Sequence, residues 1–205
     1  MKVLFCIPTT GWISSDLFMR TQRIFQNAIE KGIQIGVHVV KAIPHDSSRN
    51  LLVEGFLEND WDWMLSCDSD VVPPENIVDM ITDERPLCAA YVNAVLPMDI
   101  NKPISERVGP VAIGYEDVPG GIRYFKFPFE VGEVKEVPSF GTGCFAVRRD
   151  VFETIPAPHF KFGYNEKGIL TLGEDLYFCK KAREHGFIPH MDGRFVCLHL
   201  KEIFI

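Results

Sequence analysis

The sequence has no apolar run approaching the roughly 18 residues of a membrane-spanning helix, so no transmembrane segment is expected. No secretory leader is expected either: the apolar run in "MKVLFCIPTTGW" is short and Pro8 ends it. Positive charge is scarce. Lys and Arg number 21 against 28 Asp and Glu, a net charge of -7. That argues against a nucleic-acid binder working by general phosphate attraction. A small anionic ligand stays open, because a bound cation reverses the local field. No Cys-x-x-Cys pair occurs among the six cysteines, Cys6, Cys67, Cys88, Cys144, Cys179 and Cys197. Lying mostly in apolar runs, they read as reduced core residues, which suits a cytoplasmic protein. A zinc site at Cys197 and His199 would need a second close pair. Repeats and low-complexity linkers are also missing.

What is present is enough for one domain. The chain has 205 residues, 46% of them hydrophobic and 24% charged, an ordinary soluble balance. "KVLFCI" (2–7) reads as a buried strand. A helix follows, capped by Ser15 or Asp16 and stopped at Gly32. "IQIGVHVV" (33–40) alternates as a second strand, and 47–60 reads as a helix. "WDWMLSC" (61–67) is a third strand. "PPENIVDMIT" opens a helix on its prolines, and "PLCAAYV" (86–92) is a fourth strand. This alternation over the first ~92 residues implies an α/β fold with a mostly parallel sheet and helices on both faces. Residues 93–138, rich in Pro and Gly, are expected to form hairpins over the sheet. "GTGCFAVRRDVFETI" returns to strand then helix. "GEDLYFCKKAREHG" is an amphipathic helix with its acids first, as the helix dipole favours. "RFVCLHL" ends the fold as a strand, and the tail "KEIFI" is expected to dock on the body.

The third strand runs into Asp68-Ser69-Asp70. Side chains at i and i+2 of a strand share a face, so the two carboxylates are expected to project together. They would do so at the carboxyl edge of the sheet, where α/β proteins bind ligands. Two close carboxylates repel unless a cation or a proton joins them, and they are hard ligands for Mg²⁺ or Mn²⁺. A solvated turn is the plain alternative. An EF-hand loop fails, because Val72 and Pro73 stand where a ligand and a glycine are needed. "GTGC" places Gly143 where backbone approaches a ligand or a partner strand closely. Glu174 and Asp175 open a helix, where capping is their plain role. His199 sits in an apolar strand and is a core histidine or a third metal ligand.

The ordered set "FCIPTT", "RNLLVEGFL", "WMLSCDSDVVPPENI", "FGTGCFAVRRDVFETI", "GEDLYFCKKAREHGF" and a late "CLH" resembles the GT-A glycosyltransferases of the family-2-like kind over most of the chain. The resemblance implies a single GT-A (Rossmann-like) domain over 1–205, with a nucleotide-binding half (1–92) and an acceptor-binding, catalytic half (93–205). It implies transfer of a hexose from a nucleotide-diphosphate sugar, such as a UDP- or GDP-sugar, to a hydroxyl of a carbohydrate, protein or lipid-linked acceptor. Asp68, Asp70 and His199 match the residues that hold Mn²⁺ or Mg²⁺. Pro8, Thr9, Thr10, Arg49, Asn50, Ser69 and Gly143 match the donor side. Asp175 matches the general base of inverting relatives, with Glu174 the second candidate. The acidic turn usual after the second strand has only Asp46 as a counterpart, and the Gln-x-x-Arg-Trp motif of processive synthases is absent. A haloacid-dehalogenase-like phosphatase also carries Asp-x-Asp after an apolar strand. That motif normally follows the first strand, whereas here two strand–helix units come before it. A non-catalytic nucleotide-sugar-binding domain is the third reading.

Overall fold

A computed structural model describes residues 1–95, 103, 108–118 and 121–200. The tail "KEIFI" and parts of the 93–138 stretch lie outside these described residues. β1 (Lys2–Thr9), α1 (Ser15–Glu30), β2 (Gln34–Lys41) and α2 (His45–Leu57) come first. β3 (Trp63–Cys67), the short β4 (Val71–Val72) and β5 (Leu87–Val95) follow, with one 3-10 turn at Ile77–Met80 between the last two. β6 (Val108–Pro110), β7 (Ala112–Val118), β8 (Gly121–Lys126), β9 (Val134–Glu136) and β10 (Ser139–Phe140) make up the excursion. β11 (Cys144–Arg148) leads into α3 (Arg149–Thr154), then β12 (Gly163–Tyr164), β13 (Leu170–Leu172), α4 (Glu174–Glu184) and β14 (His190–His199).

The central sheet runs β2-β1-β3-β11-β5-β14-β4. β1 pairs in parallel with β2 and β3, and β14 in parallel with β5. β11 inserts between β3 and β5, antiparallel to both. Two reversals restore direction, so β1, β2, β3, β5 and β14 all end at one edge, where β11 begins. Strands from 1–92 and 93–205 therefore interleave in one sheet.

Alternation along each strand sorts side chains to two faces. Leu4, Cys6, Met64, Leu87, Ala89, Phe145 and Val147 join Leu52, Val53 and Phe56 of α2 and Phe178, Cys179 and Ala182 of α4 on one face. Val3, Phe5, Ile7, Leu65, Cys67, Cys88, Ala90, Cys144 and Ala146 meet Leu17, Ile24 and Ala28 of α1 on the other. Helices thus cover both faces, as the sequence pattern predicts. All six cysteines are buried free thiols. No helix among the described residues is long and apolar enough to cross a membrane.

Two local expectations change and a third is met. The helix expected after Pro73-Pro74 is only the 3-10 turn, whose buried residues Ile77, Val78 and Met80 anchor it. Two prolines remove two donors at its start, and no longer apolar stripe rewards extension. The cap of α1 is Ser14, whose Oγ accepts from Leu17 N at 3.1 Å. The excursion does form hairpin structure: β7 and β8 pair antiparallel with β10 alongside, while β6 and β9 rejoin β5 and β14. Gly141 lets this layer close, because a Cβ there would stand 2.1 Å from Val111 Cγ1.

The Phe178 ring packs 4.6 Å from Phe160, 5.7 Å from Phe152 and 6.4 Å from Phe145, fully enclosed. Phe178→Ala is expected to cost about 3–5 kcal/mol, read from urea unfolding midpoints. A loss below about 1 kcal/mol would show that this aromatic cluster is not the centre of its face.

Candidate active site

The carboxyl edge of the sheet gathers Thr9 from β1, the turn after β3, Asn93 from β5 and His199 from β14. β3 stops at Cys67, so Asp68 and Asp70 lie in a turn and not on a pleated face as the spacing predicts. Val71 N donates to Asp68 O at 3.0 Å and closes that turn. Neighbouring backbone fixes it: Asp68 N donates to Gly143 O (2.8 Å), Ser14 N to Ser69 O (3.0 Å) and Leu200 N to Asp70 O (2.8 Å). Gly143 thus serves strand pairing beside the turn, and Ser69 contributes a carbonyl.

The two aspartates take different partners. Asp70 Oδ2 lies 3.4 Å from His199 Nε2. The other ring nitrogen, Nδ1, is 2.8 Å from Asn93 O. A carbonyl only accepts, so Nδ1 carries the proton. A neutral ring then turns the Nε2 lone pair toward a carboxylate, an arrangement that favours a cation between them or a proton on the ring. A backbone carbonyl behind a histidine is the usual outer support of a metal ligand. Imidazole with carboxylate suits a transition ion such as Mn²⁺ better than Mg²⁺. Asp68 Oδ1 is instead held at 2.9 Å by Arg49 Nη2. Among the described residues no three His, Cys, Asp or Glu side chains converge closely enough to enclose a metal ion. The structure therefore joins two of the three expected ligands and places the third beside them on an arginine.

Arg49 is 4% exposed, on α2. Its Nε is 3.5 Å from Glu174 Oε1. Its guanidinium carbon sits 5.9 Å from the Phe145 ring and 6.0 Å from Phe160. Burial alone would lower its pKa, but Asp68, Glu174 and Asp175 together outweigh burial and keep it charged. Desolvation pushes Asp68 up, against the pull of Arg49. Glu174 and Asp175 open α4 behind Gly173, where a Cβ would stand 2.6 Å from Asp175 Oδ1. Asp175 is half-buried and accepts from Leu176 N at 2.7 Å. Its desolvation, with the Glu174 charge, pushes it up to about 7.

The remaining expected residues divide. Thr9 is buried, its Oγ1 donating to Trp12 O (2.5 Å) and accepting from Gly11 N (3.1 Å), which shapes the loop after Pro8 and leaves Thr10 exposed. Asn50 is spent on the fold. Its Oδ1 accepts from His159 N and Phe160 N, and its Nδ2 donates to Asp46 O and Phe160 O. Asp46 accepts from Ser47 N at the start of α2. Sequence reading misses Asn93, whose contribution is a carbonyl, and Tyr124. The Tyr124 hydroxyl donates to Thr171 O, tying β8 to β13, and its pKa is raised by burial and by the Asp175 charge.

Neither a protein-family model nor a curated protein sequence matches the chain. Solved structures do. A197 from STIV superposes with a TM-score of 0.60 at 19% identity, covering 98% of this chain and 87% of that one. GalNAc-T7, solved with UDP, GalNAc and Mn²⁺, superposes at 0.64 and 10% identity over 98% of this chain and 43% of its own. A Drosophila β1,4-galactosyltransferase 7 mutant, solved with manganese, UDP-Gal and xylobiose, gives 0.55 at 12% identity over 98% and 71%. The fold is of the GT-A type. The chain spans less than half of GalNAc-T7, so the likeness to that protein is to a part of it. In this GT-A frame the carboxylates, His199 and Arg49 all lie at the sheet edge where the parallel strands end.

Two outcomes follow from these placements. Asn50→Ala is expected to lower stability by about 2–4 kcal/mol, because two backbone donors lose their acceptor, with the Mn²⁺ response of the melting temperature unchanged. A changed response would return Asn50 to the site. Asp175 holds a proton in the folded chain between its ordinary value of 3.8 and about 7 that the unfolded chain has lost. Stability contributed by that proton is present at low pH and drains away as pH rises through this window. Asp175→Asn should therefore be more stable than the native protein at pH 8, by about 2–4 kcal/mol, and no more stable at pH 4. Equal urea midpoints at pH 8 would refute the raised pKa.

Proposed function

We propose that the protein is a metal-dependent glycosyltransferase. It moves a sugar from a nucleotide-diphosphate sugar, a UDP- or GDP-sugar, to an acceptor hydroxyl. The observation that carries this reading is the pairing of Asp70 with a carbonyl-oriented His199 at the same sheet edge as the Asp175–Glu174 pair. The fold shared with GalNAc-T7 and the galactosyltransferase, whose structures hold UDP-sugar components and manganese, supports it.

Each residue has a task in this chemistry. Asp70 and His199 would hold a divalent ion, Mn²⁺ before Mg²⁺, with Asp68 beside them. The bound ion would neutralise the charge that grows on the diphosphate as the sugar leaves. Pro8, Thr9 and Thr10 would border the nucleoside at the end of β1, with Ser69 and Gly143 supplying backbone on the donor side. Asp175 would take the acceptor proton if the anomeric centre inverts, and its raised pKa suits a base working near neutral pH. Glu174 would bind acceptor hydroxyls or serve as the second candidate base. The acceptor, carbohydrate, protein or lipid-linked, would meet the layer of Tyr124 and β12–β13, because Tyr124 is close enough to Asp175 to be affected by its charge.

A thermal-shift panel of UDP-, GDP- and dTDP-sugars with and without Mn²⁺ tests the reading. One donor is expected to raise the melting temperature only with the ion. In that donor's hydrolysis, Asp70→Ala and His199→Ala should each lower kcat/KM by about 100-fold. The native rate should rise with pH through about 7, the Asp175 value. Release of phosphate from a simple ester, with no response to any sugar nucleotide, would favour the phosphatase reading instead.

A further inference from the structure

The Arg49 guanidinium is built into the fold with polar atoms that the protein leaves unmatched. It is 4% exposed, and Nε and Nη1 have no hydrogen-bond partner. Nη2 is taken by Asp68 at 2.9 Å, and Glu174 stands 3.5 Å from Nε, an ion pair beyond good hydrogen-bond geometry. One buried cation therefore faces carboxylates from two different elements, the turn after β3 and the start of α4, and satisfies neither fully. Phe145 and Phe160 flank it and limit where the planar group can move.

We propose that Arg49 is a positioning residue whose guanidinium competes with the divalent cation for Asp68, so that cation binding at the aspartate turn is coupled to the Glu174–Asp175 pair. The inference rests on the metal-dependent reading above. A divalent ion at Asp68 and a guanidinium on Asp68 Oδ1 repel each other across a few ångströms of enclosed protein. The ion draws Asp68 off Nη2, and the released guanidinium can then turn its unmatched Nε fully onto Glu174, now 3.5 Å away. Donor-side charge thereby fixes acceptor-side geometry with no large chain movement. A lysine cannot do this, because a single ammonium lacks the fork that reaches two carboxylates at once.

The competing role and a plain orienting role predict opposite signs. An outer partner that only orients a metal ligand costs about 10–100-fold in metal affinity when removed. A competing charge, when removed, makes the ion bind tighter. Mn²⁺ alone is the probe, followed by calorimetric titration and by melting temperature, with hydrolysis of the responding sugar nucleotide as a separate readout. Arg49→Met is expected to be destabilised without Mn²⁺ and to gain more melting temperature from Mn²⁺ than the native protein. Its Mn²⁺ affinity should be about tenfold tighter, while kcat falls about 100-fold and the donor KM changes little. Should Arg49→Met not fold, Arg49→Lys carries the test. Its charge remains, so Mn²⁺ affinity should stay within about twofold, yet kcat should fall about tenfold for want of the fork. Weaker Mn²⁺ binding in either variant, or an unchanged kcat in Arg49→Lys, overturns the proposal and leaves the transferase reading standing. No Mn²⁺ response in the native protein overturns the metal-dependent reading, and the competition with it.

Discussion

Arg49 is the constraint around which this site is arranged. A guanidinium 4% exposed survives burial only with counter-charges close by. Here they come from Asp68 and Glu174, on segments far apart in sequence. Three things must therefore be right together: α2 must lie against the sheet, β3 must end at Cys67, and α4 must start at Glu174. The aromatic rings of Phe145 and Phe160 close around the same group, so the hydrophobic core and the charged site share a wall. Asn50, the next residue, clamps α2 to this segment with its side-chain Oδ1, which accepts from the backbone amides of His159 and Phe160, and holds that wall in place.

The sheet supplies the second half of the arrangement. Because β11 runs antiparallel between β3 and β5, the parallel strands on either side still finish at one edge. Asp70 lies in the turn between β3 and β4; β3 is not a neighbour of β14, which reaches that turn through its short pairing with β4, His199 opposite Val71. The Asp70–His199 pairing is thus a property of sheet order. It also uses backbone twice, in the carbonyl of Asn93 behind His199 and in the amide of Leu200 on Asp70.

Much of this was legible in the sequence, and the rest was not for specific reasons. Runs such as Val3 to Ile7 are apolar on both faces, which marks an interior strand wherever it pairs. The acids at the start of α4 announce a helix N-terminus. The place of β11 is set by pairing with strands far along the chain, and no local pattern records it. Pro73-Pro74 signals a turn and a helix start equally well, and only packing decides how far a helix runs. The aspartate pair reads as a pleat because its spacing is two residues, yet a turn brings i and i+2 together just as readily. Arg49 reads as a surface charge because its neighbours in α2 are polar. Its burial depends on acids contributed from elsewhere, and Asn93 acts through a group every residue has.

The same carboxylates that make the site useful cost the fold stability. Glu174 and Asp175 are packed beside each other with one shared cation between them and Asp68, so three negative charges meet one positive. The fold does not relieve this by opening the site to water. It lets Asp175 keep its proton to about neutral pH, which spares one charge at the expense of making stability fall as the solution becomes basic. A protein selected only for stability would replace one of these acids by an amide, because the shape would be kept and the repulsion lost. Under the proposed transferase reading, both acids in this half-buried cluster have a physical rationale: one would accept a proton near neutral pH, and the other would hold the guanidinium beside it.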